Sequence, residues 1–349
     1  MRPTDLRTFL TSAIAARLPV LITGSPGVGK TDIVTSAAAD AGADLIISHP
    51  VVSDPTDAKG LPWPDKDAQT AKFLPFGDLA RAITAVRPTV WFLDDLGQAP
   101  PSVQASYMQL LLARRVNDHV LPSCVTFLAA TNRRTDRAGV TGILEPVKSR
   151  FASIVSLDVH LDDWCQWAID AQIRPEVIAF LRFRSELLCK FEPSADLANS
   201  PVPRGWAHVS QLMGLTGPRD VLSQAIAGAV GAGAAGEFLA YQKVWTQLPD
   251  IDALLLHPAE PSVLKKHGVK LPTEPAVLYA VVTALAMRAS VVTAEAIILI
   301  AERLMNKGRG EFAALLLRDS VRRDKEIIRT KEFMAMAKTS LGNLITGKA

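Results

Sequence analysis

The chain has 349 residues, enough for two or three domains with a sizeable core. Apolar residues make up 48% and charged residues 21%, an ordinary globular mix. A formal net charge of +3 gives no support to a bulk electrostatic nucleic-acid binder, though it leaves room for a local basic patch.

Cys124, Cys165 and Cys189 stand far apart with no CxxC spacing. That argues against a disulfide framework or a structural zinc site and fits a reducing compartment. Arg7 and Arg17 cut the apolar patches of the first residues, so no export signal is expected. The longest apolar tract, Pro275–Met287, ends at Arg288 and is too short to span a bilayer. These features predict a soluble cytoplasmic protein.

Along the chain, Pro19–Thr23 is a short apolar run that ends in a Gly-rich turn, and the Ala-rich Asp32–Ala41 reads as a helix. Further strands are predicted at Asp44–Ser48, Val90–Leu93, Val125–Ala130 and Ser153–Leu157. Continuous apolar runs spaced by helical segments point to a parallel sheet covered on both faces. The predicted fold class is α/β, with active residues at the carboxyl ends of the strands. Two stretches interrupt the rhythm. Asp54–Gly77 is too long and too rich in Pro, Gly, Asp and Lys for a simple connection, and Arg114–Pro122 reads as a small hairpin turning at Asn117–Asp118.

After residue 158 the strand signals stop. Asp162–Ala171, Arg174–Lys190, Trp206–Leu215 and Arg219–Val230 read as amphipathic helices, Trp245–Pro275 as a connection, and Ala276–Ile345 as helical again. The basic stretch Lys307–Lys331 is interleaved with Glu311, Asp319, Asp324 and Glu326. A solvated, packed amphipathic helix therefore accounts for it better than a nucleic-acid surface.

The segment Gly24, Ser25, Pro26, Gly27, Val28, Gly29, Lys30, Thr31 fits G-x-x-x-x-G-K-[ST] between a strand and a helix. Glycines let the backbone wrap phosphates closely, and the helix amino end supplies a fixed positive field. Lys30 is expected to reach the β- and γ-phosphates of ATP and Thr31 to ligate Mg²⁺. Asp94, at the end of an apolar strand, is the natural Mg²⁺ partner of Thr31, and Asp95 is then placed as a general base. The plain alternative makes one of the two aspartates a helix N-cap. Asn132 follows the fourth strand directly and could hold the same water or the γ-phosphate. A lone arginine is usually a solvated surface group, yet Arg150 and Arg204 have the permanent charge and planar fork suited to a transferring phosphoryl group.

These motifs resemble the MoxR-like AAA+ ATPases over most of residues 1–300. The resemblance is carried by GSPGVGKT, FLDDLGQAP, AATNRRTDRA, the SRF segment and PRGWAHVS. In DPTDAKGLP, VQASYMQLLLARRV and IRPEVIAFLRFRSELL the chain looks like the subgroup often paired with a von Willebrand factor A-like, metallopeptidase-like protein. The resemblance implies a P-loop AAA+ core with a five-stranded parallel sheet at 1–158, a helical lid at 159–245 and a C-terminal helical extension at 246–349. It implies a homo-hexameric ring with ATP between subunits, Arg150 reaching in from the neighbour and Arg204 reporting from the lid. It sets Arg133, Arg134 and Arg137 near the subunit boundary, where they could be accessory fingers, and turns the Asp54–Gly77 insertion and the small hairpin toward the central pore or the substrate side. The family usually has Glu where this chain has Asp95, which is shorter by roughly 1.5 Å. An ATP-driven remodelling motor or chaperone is the first reading. A nucleotide-gated scaffold with slow hydrolysis is the second, and a nucleic-acid motor ranks behind both.

Overall fold

The computed structural model describes residues 1–65, 69–136, 139, 141–194, 196–259 and 269–342. By internal packing the chain divides into two compact units, Met1–His160 with Phe191–Ala195, and Leu161–Lys190 with Asp196–Ala349.

The first unit is α/β. In chain order its strands are β1 (Val20–Thr23), β2 (Asp44–Ser48), β3 (Leu61–Asp65), β4 (Thr70–Leu74), β5 (Thr89–Leu93), β6 (Arg115–Val116), β7 (His119–Val120), β8 (Val125–Thr131) and β9 (Ser153–Ser156). Its helices are α1 (Pro3–Ala15), α2 (Lys30–Asp40), α3 (Pro55–Lys59), α4 (Gly77–Ile83), α5 (Pro101–Ala113) and α6 (Glu145–Lys148). The five strands expected from the apolar runs form one parallel sheet in the order β2-β5-β8-β1-β9. Every residue of β5 and β8 is buried, the physical meaning of an unbroken apolar run. At the sheet edge, β9 alternates half-buried and exposed positions. The core is anchored by Trp91, stacked on Phe127 at 5.3 Å and edge-on to Tyr107. The Trp91 indole N–H donates to Ser48 Oγ (2.8 Å), which donates to Asp78 (2.6 Å).

Register decides where the chemistry lands. Thr23 is level with Thr131, but Leu93 is level with Ala129. β5 therefore stops two residues short of β8, and the chain leaving β5 must turn across the end of β8.

The described residues of both interruptions form short helices and strands. Asp54 caps α3 by accepting from the Thr56 N–H, and its own N–H donates to Asp57, a reciprocal capping box. Gly60 then turns at φ +87°, where an added Cβ would meet the Leu74 carbonyl at 2.7 Å, and the antiparallel pair β3–β4 follows. The hairpin β6–β7 turns at Asn117–Asp118 as expected. Its base is closed by Arg114, which donates to the carbonyls of Pro122 and Val125. The two pieces are stitched together: Asn117 Nδ2 donates to Lys59 O (2.8 Å), and a ring nitrogen of His119 bonds Phe73 O (2.7 Å).

The second unit is helical: α7 (Leu161–Asp170), α8 (Pro175–Phe183), α9 (Pro203–Leu212), α10 (Arg219–Val230), α11 (Ala232–Thr246), α12 (Ile251–Leu256), α13 (Pro275–Ala286), α14 (Ala294–Asn306), α15 (Gly310–Arg323) and α16 (Lys331–Met336). From Leu278 onward α13 is apolar nearly all round and buried. Phe180, Trp206, Phe238 and Tyr241 form an aromatic cluster with centroids 5.3–5.8 Å apart. Beside it lies a buried ion pair, Arg182–Asp319 at 2.6 Å, and Arg182 also donates to Thr283.

Two helical expectations need correction. Arg174–Lys190 is not one helix: it breaks at Arg184, whose φ and ψ of −124° and 65° are non-helical, and a 3-10 turn, Ser185–Leu187, follows. Arg184 is held there by ion pairs to Glu186 and Glu237. Trp245–Pro275 is not a bare connection, since α11 runs to Thr246 and α12 is capped by Asp250, which accepts from the N–H groups of Asp252 and Ala253. The basic C-terminal stretch packs Phe312, Leu316 and Leu317 inward, while Arg322 pairs with Asp170 and Arg329 with Glu326. Among the described residues no helix is long and apolar enough to cross a membrane.

Candidate active site

The loop Gly24–Gly29 joins β1 to the amino end of α2. Gly27 (φ +73°) and Gly29 (φ +93°) take left-handed conformations that a side chain would strain. Gly29 is the N-cap of α2, and the first α2 residues after it have N–H groups with no intrahelical partner. Lys30 is the first residue of α2, and side chains there tilt back toward the helix amino end. Its ammonium is buried over the loop and donates to Gly24 O (2.9 Å), Ser25 O (3.0 Å) and Asn132 Oδ1 (2.6 Å).

One residue further, Thr31 Oγ1 donates to Asp94 Oδ2 at 2.7 Å. Asp94 is only 8% exposed, and its backbone N–H is tied to Ser48 O at the end of β2. The hydroxyl and carboxylate thus meet directly, one on the helix that follows β1 and the other just past β5, two strands separated in the sheet by β8.

Asp95 turns away. Its backbone is left-handed (φ 55°, ψ 34°), a conformation that Asp tolerates better than most residues. It opens a single 3-10 turn, Leu96–Gln98, but its side chain makes no capping bond. Instead Asp95 Oδ1 accepts from Gln98 Nε2 (2.8 Å) and from Asn132 Nδ2 at the longer distance of 3.4 Å. Asn132 is therefore engaged at both ends of its amide, by Lys30 on the oxygen and Asp95 on the nitrogen. Gly97 makes this possible. A Cβ on it would lie 2.1 Å from Thr131 Oγ1, so only glycine lets the turn rest on the end of β8.

The structure brings Lys30, Thr31, Asp94, Asp95 and Asn132 together at the carboxyl ends of the interior strands β1, β5 and β8. It does not bring Arg150 to that cluster within the chain: its guanidinium donates to Met108 O (3.0 Å) and to Pro146 O. Arg204 is exposed on the first turn of α9, in the helical unit. Arg133 is bound to Ser156 Oγ, Leu157 O and Asp158, while Arg134 is exposed and Arg137 lies outside the described residues. Sequence reasoning missed Gln98 and Gly97. The available signal was Pro100–Pro101, which stops a long helix from starting at Leu96 and leaves room for one turn only.

No protein-family model matches the chain, and neither does any curated protein sequence. Among solved structures, it is similar to RuvB, the Holliday junction branch migration motor of Thermotoga maritima, at 17% identity and a TM-score of 0.38, covering 79% of this chain and 87% of that one. NtrX from Brucella abortus aligns with 70% of this chain and 60% of its own at 15% identity and a TM-score of 0.40. A candidate ATPase from Cytophaga hutchinsonii aligns at 18% identity and a TM-score of 0.33, over 44% of this chain, which spans less than half of that protein's length (46%). Superpositions this loose transfer no residue roles, and the site stands on its own geometry.

Proposed function

We propose that this chain is an AAA+ ATPase that binds ATP with Mg²⁺ and hydrolyses it to ADP and phosphate. The observation that carries the reading is the 2.7 Å bond between Thr31 and Asp94 at the mouth of the Lys30 loop. The donor set fits both groups. A hydroxyl and a carboxylate oxygen side by side suit a hard divalent cation. Left-handed glycines, the amino end of α2 and the Lys30 ammonium suit a polyphosphate.

In this reading Lys30 and the loop N–H groups bind and orient the phosphates, and Thr31 and Asp94 hold Mg²⁺, which would neutralise developing phosphate charge when bound. Asp95 accepts the proton of the attacking water, and Asn132 keeps Lys30 and Asp95 in register. Arg150 would serve a neighbouring copy, which requires it to leave the carbonyls of Met108 and Pro146. Arg204, in a lid at 159–245, would report on the γ-phosphate, and 246–349 would extend that lid. The resemblance to MoxR-like proteins supports a cytoplasmic hexameric ring that remodels a partner carrying a von Willebrand factor A-like domain.

The test is ATP turnover by the wild type and by Lys30→Ala, Asp95→Asn and Arg150→Ala. Wild type turns over. Lys30→Ala loses nucleotide binding, and Asp95→Asn binds ATP but does not hydrolyse it. Arg150→Ala mixed with Asp95→Asn regains part of the lost rate, because each supplies what the other lacks. Absence of turnover by the wild type with any partner sinks the motor reading. The second reading, a nucleotide-gated scaffold, is favoured by the shorter Asp95. It requires ring formation and partner binding to be equal with ATP and a non-hydrolysable analogue.

A further inference from the structure

The turn after the acidic strand holds a residue with no assigned task. Gln98 Nε2 is 2.8 Å from Asp95 Oδ1, whereas its own Oε1 is buried and without a hydrogen-bond partner among the described residues. A buried carbonyl oxygen left without a partner calls for an explanation. Rotating the amide would set that oxygen against the Asp95 carboxylate, oxygen on oxygen. The amide is therefore held in the orientation that serves Asp95 at the expense of its own satisfaction.

The second donor to the same oxygen is Asn132 Nδ2. The other oxygen, Oδ2, has no protein partner among the described residues. We infer that Gln98 is a positioning residue: with Asn132 it grips one oxygen of Asp95, so that the other is presented to the attacking water. This rests on the reading of Asp95 as the base. It also answers the shortness of the aspartate. A glutamate reaches out by length, whereas here a left-handed backbone at Asp95 and two donors fix where the shorter arm ends. Gly97 keeps the turn seated on Thr131, which sets the Gln98–Asp95–Asn132 spacing.

The experiment compares Gln98→Leu, Gln98→Glu and Gln98→Arg in the full chain, with ATP and Mg²⁺, measuring kcat, KM and binding of a fluorescent ATP analogue. Gln98→Glu keeps shape and volume but replaces the donor with a charge. Gln98→Arg changes the shape but keeps a donor. Loss of an orienting partner lowers kcat on the order of ten- to a hundred-fold. The expected kcat order is Gln, then Arg, then Leu, then Glu, at constant analogue affinity.

Wild-type kcat in Gln98→Glu, or loss of analogue binding in step with kcat in all three variants, overturns the proposal in favour of a structural role. Full turnover in Asp95→Asn removes the base reading and this proposal together. An inactive Asp95→Asn beside an unaffected Gln98→Glu removes this proposal alone.

Discussion

Each unit buries a cationic and an anionic side chain, and the two do so differently. In the helical unit Arg182 and Asp319, 6% and 10% exposed, close on each other at 2.6 Å, with Thr283 as a further partner. In the α/β unit the buried Lys30 and Asp94 do not close on each other: Lys30 donates to carbonyl and amide oxygens and Asp94 accepts from a hydroxyl. The closed arrangement holds α8, α13 and α15 together. The open one gives Lys30 and Asp94 different partners at the mouth of the loop. Burial of charge alone does not mark a site; what the charge is bonded to does.

Breaking the closed pair has the largest effect. Arg182→Ala leaves a buried carboxylate alone and costs about 3–5 kcal/mol, whereas Arg182→Met with Asp319→Leu comes out near neutral, as chemical denaturation would show. If the single and double replacements cost the same, the pair is not closed. Lys30→Ala is the counterpart in the open cluster: it abolishes nucleotide binding while denaturation shifts by less than for Arg182→Ala. Gly97→Ala falls between the two kinds. Its methyl must displace Thr131, an overpacking cost of about 1–3 kcal/mol. Since Thr131 leads into Asn132, turnover falls as well; full turnover with lowered stability would show that the turn does not set the site.

The smallest effect sharpens the helical side. Burial pushes the Cys165 thiol up to about 11, beside Arg182 and Asp319. Raising the pH from 7 to 9 therefore leaves Cys165 almost wholly protonated and slow toward a thiol reagent, while unfolding exposes it. Labelling of Cys165 in the folded chain at pH 8, at the rate of Cys124 and Cys189, would show that the pair is not sealed.

Much of the α/β unit was legible because burial on both faces writes itself as unbroken apolar runs, and β5 and β8 are buried throughout. The loop and Asp94 were legible because their spacing is local. Gln98 and Gly97 were not, since their roles depend on β5 ending two residues before β8, a register no single strand displays. The break at Arg184 was hidden because the apolar pattern runs through it, and α11 because glycines 233 and 236 dilute its helical signal. The resting place of Arg150 depends on carbonyls 4 and 42 residues away, which no motif encodes.

The helix α5 begins three residues after Gln98 and ends at Ala113, next to Arg114 at the base of the hairpin stitched to β3–β4. Thirteen residues of helix span about 20 Å. If Asp95 is the base proposed above, α5 is a lever arm with its pivot beside that carboxylate and its load at the two hairpins. A tilt of about ten degrees at the pivot moves the far end by about 3 Å. Trp63, 61% exposed on β3, is part of that load. Its fluorescence should follow the state of the nucleotide, and a signal indifferent to ATP in the presence of Mg²⁺ would mean that the arm bends rather than transmits.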